Sequence, residues 1–340
     1  MTLGRHIRTL IMGWMAIGWL ALLSGCDFGA HSTGGQFDDY LSRVANVQDK
    51  PALEPPDAVY WSLPAQSDIR IDIAATTIGL LDSYELRKCG LFHLIAEKNS
   101  SLGKVQDEFA NFDYQTELLR GIQRCINAES LSPALVSTLS TLLPSKEAQL
   151  SSHWFNLLYT SDAMRRQLQV QDWLSPSNGF PDERFVTALQ TLAGISELIE
   201  PRTAWQYAHP IRPHQEVLDK QLWLGNLLFS LQNSTLWLDT ITKQLHQYDD
   251  AIVCGTGRDT TRYRYLRNVF QSIYIEKIQP ELSYYDKLYY ALEPHLTFLT
   301  DVSLDPAYPI DTAYQAYRQA TLKHVKYWQQ LFARCGDAPR

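Results

Sequence analysis

Three groups of side chains in this sequence could do chemistry. Cys89, His93 and Glu97 recur every four residues, so on one helix their side chains would form a column. Such a column becomes an acid/base or metal site if a second helix adds ligands. The plainer reading is a hydrogen-bonded His93–Glu97 pair beside a structural cysteine. Immediately afterwards, Asn99 and Ser100 could bind a ligand together with Glu97, or could cap the helix end with Ser101. The third group lies in "GTGRDTTRYRYLRNVF", residues 255–270, where Arg258, Arg262, Arg264 and Arg267 alternate with aromatic residues. Arg258 and Arg262 share a helical face and could clamp a carboxylate or phosphate of a glycan, lipid head group or partner. The plainer alternative is solvated arginines paired with the acidic excess of the chain. Other motifs are weaker. Gly255 and Gly257 lack the third glycine and the preceding strand of a phosphate loop, and His209 and His214 in "HPIRPH" have no third ligand. Gly-x-Ser-x-Gly, His-Glu-x-x-His and Cys-x-x-Cys motifs are missing, so no catalytic residue, metal or cofactor is expected.

The five cysteines divide into one and four. Cys26 follows Arg5 and Arg8, an uncharged apolar run over 9–23, and the small residues Ser24 and Gly25. That order is the design of a secretory signal, and a run of about fifteen residues is too short for a spanning helix. Leu23-Ser24-Gly25-Cys26 resembles the bacterial lipobox. The resemblance implies cleavage before Cys26, acylation of its thiol with a palmitate-type chain, and membrane attachment through that lipid. Asp27 directly after it resembles the signal that retains lipoproteins in the inner membrane. The expected address is therefore the periplasmic face of the inner membrane, with the outer membrane as the alternative. Cys89, Cys125, Cys254 and Cys335 are an even set in an exported chain, and disulfides are expected. Of the three connectivities, Cys89–Cys125 and Cys254–Cys335 are favoured. The first joins neighbouring predicted helices, and the second ties the start of the C-terminal region to its end; buried free thiols are the alternative.

The elements that must position these groups are helical. Phe37, Tyr40, Leu41 and Val44 fall at helical spacing, and most of the proline-rich stretch over 49–66 must run extended. "IRIDI", residues 69–73, is the one strand-like segment, either paired with an unrecognised strand or laid on helices. From Thr77 onward the pattern predicts helices over 77–98, 106–128, 132–149, 152–172, 182–199, 214–247, 259–278, 281–299 and 311–334. In the longest, Val217, Leu224, Leu231, Leu238 and Leu245 repeat every seven residues and require a partner helix. The last helix, with Tyr317, Thr321, Trp328, Leu331 and Cys335 on one side, is the natural mate. The expected fold is all-α: an irregular multi-helix bundle with long central helices and at most one or two short strands. Its organisation is a signal over 1–25, a lipidated tether with short helix and extended segment over 26–65, and a helical domain over 66–340, with 66–200 and 201–340 as potential subdomains.

Composition narrows the function. Residues 1–25 hold two arginines and no acid, so the exported part carries 28 basic against 37 acidic residues. That balance argues against a nucleic-acid partner. "LLDSYELRKCGLFHLIAEKNSSLGKV", residues 80–105, and "RYLRNVFQSIYIEKIQP", residues 264–280, resemble an uncharacterised proteobacterial lipoprotein family classed as a domain of unknown function. His93 stands where that family has Gln, which counts against an essential histidine. The resemblance implies an exported lipoprotein over nearly the whole mature chain and carries no activity. Three readings remain open: an envelope protein that binds a protein or polymer partner, a hydrolase of peptidoglycan, glycan or lipid using carboxylates such as Glu97, and a small-ligand or metal binder.

Overall fold

Helix starts follow from short polar side chains. Ser32, Asp107, Ser132, Ser161 and Asp182 each accept the backbone N–H three residues on, from Gly35, Ala110, Leu135, Met164 and Phe185. The computed structural model describes residues 32–74, 84–207, 209–299 and 307–337. Its helices are α1 (Thr33–Gln48), α2 (Gln66–Ile69), α3 (Leu91–Asn99), α4 (Glu108–Ile126), α5 (Pro133–Thr160), α6 (Asp162–Gln169), α7 (Glu183–Ser196), α8 (Gln215–Lys220), α9 (Trp223–Gln247), α10 (Thr261–Val269), α11 (Gln279–Leu292) and α12 (Ile310–Cys335). A π-helical segment, Phe270–Ile278, joins α10 to α11. Among the described residues there is no strand, and no helix is long and apolar enough to cross a membrane.

The expected central pair is present: α9 packs along α12. Leu224, Leu231, Leu238 and Leu245 are fully buried, as are Leu227, Leu228 and Ile241. Helix α1 lies on α9, α10 and the π segment, and its Phe37, Tyr40 and Val44 are fully buried. Phe37, Tyr40, Leu41 and Val44 of α1, and Leu63 after it, belong to the main core. A second, smaller core forms where Leu91 of α3 meets Ile122 of α4 and Leu135 and Leu139 of α5. The Cys89–Cys125 disulfide lies at this small core, and Cys254–Cys335 joins the loop before α10 to the end of α12.

Several boundaries depart from the sequence pattern. The helix expected over 214–247 is broken at Gln221, which is extended (φ −100, ψ 90), and Val217 lies before the break. The helix expected over 132–149 continues through Pro144 to Thr160 as α5, and the one expected over 152–172 is divided at Ser161 between α5 and α6. Those expected over 259–278 and 281–299 run together as α10, the π segment and α11. There Gln279 N–H donates to Tyr274 O five residues back, and the widened turn admits Pro280 without breaking the rod. Toward the chain start, residues 75–83 lie outside the described residues. Gly90 (φ 81) then separates a 3₁₀ turn, Leu86–Cys89, from α3. Cys89 is therefore not on the helix of His93 and Glu97.

Residues 51–65 and 70–74 run extended across the helices. Side-chain carboxamides hold them by imitating a neighbouring strand. Asn233 accepts Val59 N–H (2.8 Å) and donates to Val59 O (3.0 Å), and Asn156 does the same for Ile71 (2.9 Å each). Gln171 brackets Trp61 in the same way, and Gln244 accepts Leu53 N–H. Within "IRIDI", Ile69 closes α2 and residues 70–73 form an extended segment laid on helices.

Candidate functional site

A cleft of about 1330 Å³ opens between α6, α8 and the turn before α8. Its wall carries charged side chains of both signs. Asp113, Asp162, Glu216 and Asp219 stand with Arg165, Arg166 and Arg212. Arg165 is fixed by donating to Tyr159 O (3.1 Å) and Pro64 O (2.9 Å). Arg166 Nη1 reaches both oxygens of Asp219, at 3.1 and 3.2 Å. Asp113 holds the turn by accepting Ile211 N–H (2.8 Å) and Arg212 N–H (3.0 Å). Burial pushes its carboxyl pKa up, against those two bonds and the nearby Arg120 and Arg212. The far side of α8 forms a second hollow of about 550 Å³, lined by Glu183, Arg184, His214 and Lys220. His214 Nε2 lies 3.3 Å from Thr191 Oγ1, and burial lowers its pKa. Chemically, such walls bind ammonium or N–H groups at the carboxylates and acceptor groups at the arginines.

The residues singled out from sequence do not converge. Glu97 lines a small depression of about 180 Å³ with Lys98, Gln106, Tyr114 and Glu117, and Asp113 borders both this depression and the large cleft. No hydrogen bond joins Glu97 to His93 among the described residues. Ser100 acts as a turn residue, its hydroxyl accepting Gly103 N–H at 3.1 Å, and Asn99 is exposed beside it. The arginines sit elsewhere: α3 packs on α4, whereas α10 packs on α1 and the π segment. Arg262 caps the end of α1, donating to Gln48 O (3.3 Å) and Asp49 (3.0 Å). Arg267 pairs with Asp337 (2.9 Å), Arg264 donates to Thr261 (3.2 Å), and Arg258 is exposed in the preceding loop. Three of the four thus have local partners. Cys26 and Asp27 lie outside the described residues. Among the described residues no group of three or more His, Cys, Asp or Glu side chains could hold a metal ion.

Two polar clusters escaped the sequence reading. In one, Lys98, Asn111, Lys146 and His153 meet between α3, α4 and α5. In the other, His324 is fully buried: its Nδ1 lies 2.9 Å from Thr242 Oγ1 and its Nε2 3.0 Å from Tyr40 OH. Trp328 Nε1 donates toward Tyr40 OH (3.1 Å) and His324 Nε2 (3.0 Å), and burial pushes the His324 pKa down to about 3. A signal for it existed. His324 stands seven residues after Tyr317 and four before Trp328, inside the apolar stripe of α12.

No curated protein and no solved structure matches this chain. Residues 37–339, almost all of the described body, match the family described as "Protein of unknown function (DUF3080)", and the chain belongs to that family.

Proposed function

We propose that this chain is a lipid-anchored protein of the bacterial envelope that works by binding an extended, peptide-like partner of mixed charge in the cleft beside α8. Attachment through Cys26 and placement on the periplasmic face of the inner membrane rest on the signal, the lipobox resemblance and Asp27. The two disulfides agree with an oxidising compartment.

The observation that carries the binding reading is the cleft itself: about 1330 Å³, open, with carboxylates and guanidiniums side by side along one wall. An extended peptide presents N–H, C=O, ammonium and carboxylate groups at comparable spacing, and fits such a wall better than an apolar ligand does. The full-length protein is expected to recover a partner from detergent-solubilised envelopes. The Arg166→Glu/Arg212→Glu variant is expected to lose it, while Arg258→Glu keeps it. Equal recovery by all three overturns the assignment to this cleft. The address is tested separately by membrane fractionation: the unmodified protein is expected in the inner membrane, and Asp27→Ser in the outer.

A further inference from the structure

The extended segment after α1 is held by one edge only. Over 51–63 the main-chain groups clasped by side chains belong to Pro51, Leu53, Val59, Trp61 and Leu63. Asn233 of α9 takes both the N–H and the C=O of Val59, and Gln171 takes both those of Trp61. A polyproline helix repeats every three residues and cannot turn 59 and 61 the same way, so this stretch has the two-residue repeat of a β-strand. The N–H and C=O groups of Ala58, Tyr60 and Ser62 therefore point to the opposite edge. Among the described residues these groups have no hydrogen-bond partner, and all three residues are exposed.

That edge can accept a further strand. Asn233 is buried and also donates to Phe229 O (2.9 Å), so the strand is fixed before any partner arrives, which lowers the ordering cost of binding. Proteins commonly blunt a free edge with lysine, proline or a covering element. Between Pro56 and Pro64 this edge has neither lysine nor proline, and the Tyr60 side chain is 64% exposed, its ring 5.1 Å from that of Phe229. The groups on offer are main-chain donors and acceptors in alternation, which another extended polypeptide matches. The strand also runs into the cleft beside α8. Gln169 and Arg165 hold Leu63 O (3.5 Å) and Pro64 O (2.9 Å), and both line the cleft together with Gln66. From Tyr60 to Gln66 is at most about 22 Å of extended chain, so one peptide spans both places. At the far end Glu54 and Asp57 are exposed and have no ion pair among the described residues, which favours a basic residue opposite them.

We propose that residues 57–63 take up an extended peptide as an added β-strand, paired through the main chain of Ala58, Tyr60 and Ser62, with a basic residue of the peptide beside Asp57. The strand site rests on the peptide-binding reading above for its class of partner. It adds to the charged cleft a contact made by main chain, so that pairing supplies affinity and the cleft supplies selectivity.

The probe is a synthetic peptide, acetyl-Lys-Val-Thr-Val-Thr-Val-Lys-amide, titrated into full-length ¹⁵N-labelled protein and followed at the backbone amides. Strand addition is expected to shift the amides of Ala58, Tyr60 and Ser62 saturably and to slow their exchange, while Val59 and Trp61, already bonded to carboxamides, change little. The same peptide N-methylated at its central residues is expected to give no such pattern. Tyr60→Pro removes the outward N–H, leaves the clasps of Val59 and Trp61 in place, and is expected to weaken binding about tenfold. Tyr60→Thr keeps that N–H and is expected to bind within about twofold of the unmodified protein. Melting curves and the α9 amide spectrum of each variant separate lost binding from lost folding. No saturable shift, an equal shift throughout 58–62, or undiminished binding by folded Tyr60→Pro overturns the strand site. Shifts confined to Arg166 and Arg212 overturn it while sparing the cleft, and an alternating pattern that persists in Arg166→Glu/Arg212→Glu supports it apart from the cleft.

Discussion

Gln167 shows how much one buried side chain can decide. It is fully buried, and its amide donates to Leu218 O (2.8 Å) and Gln221 O (2.7 Å) while its carbonyl accepts Leu224 N–H (3.0 Å). It thereby caps the end of α8 and the start of α9 together, which is why the helical pattern breaks at Gln221. Gln167→Ala leaves those backbone groups unpaired and is expected to cost about 2–4 kcal/mol, read as a lower urea midpoint. Two buried titratable groups set opposite pH limits. Burial pushes Glu281 up to about 7 from 4.5, and one of its oxygens has no partner. As pH rises through that window the unfolded chain ionises while the folded chain holds its proton, so stability falls and then levels off above it. Glu281→Gln is expected to raise the melting temperature at about pH 8, by about 2 kcal/mol of stability, and to change little at about pH 4. His324 works the other way. With its pKa depressed from 6.5 to about 3, stability is present above 6.5 and lost as pH falls toward 3, by about 4 kcal/mol. Acid unfolding of His324→Gln is expected to be shallower over that range if the variant folds; an unchanged acid limb counts against this assignment.

At the scale of elements, the extended segment depends on helices far from it in sequence. Asn233 and Gln171 supply to Val59 and Trp61 the hydrogen bonds a neighbouring strand would supply. Asn233→Ala is expected to raise amide exchange over 53–61 while exchange in α9 and α12 stays slow, since the central pair buries its own leucines. The Phe37-Tyr40-Leu41-Val44 pattern announced α1, and the seven-residue leucine repeat announced α9 and its need of a partner. The extended segment was legible only as a consequence of its prolines. Its clasps lie 174 and 110 residues away, beyond any local pattern.

For the whole molecule, the two disulfides secure different regions. Cys89–Cys125 lies at the small core of α3, α4 and α5, and Cys254–Cys335, separated by 81 residues, closes the last quarter of the chain. Cys335→Ser is expected to cost about 4 kcal/mol by the chain-entropy argument, and to lower the unfolding midpoint of the main core. Cys89→Ser is expected to raise amide exchange over 84–99 before the main core responds.

The all-α class, the α9–α12 pairing and the grouping of cysteines were determined by the sequence itself, because periodic apolar residues and helix caps act within a few residues of one another. The expected column of Cys89, His93 and Glu97 failed for a local reason too: Gly90 turns the chain between them. Glu97 and the arginines of α10 were separated by tertiary structure, since composition does not say which helices adjoin. Likewise, Lys98, Asn111, Lys146 and His153 have no common spacing, and become a cluster only because α3, α4 and α5 pack together. Burial then turns ordinary polar side chains into groups that need a partner, and burial is a property of the assembled fold.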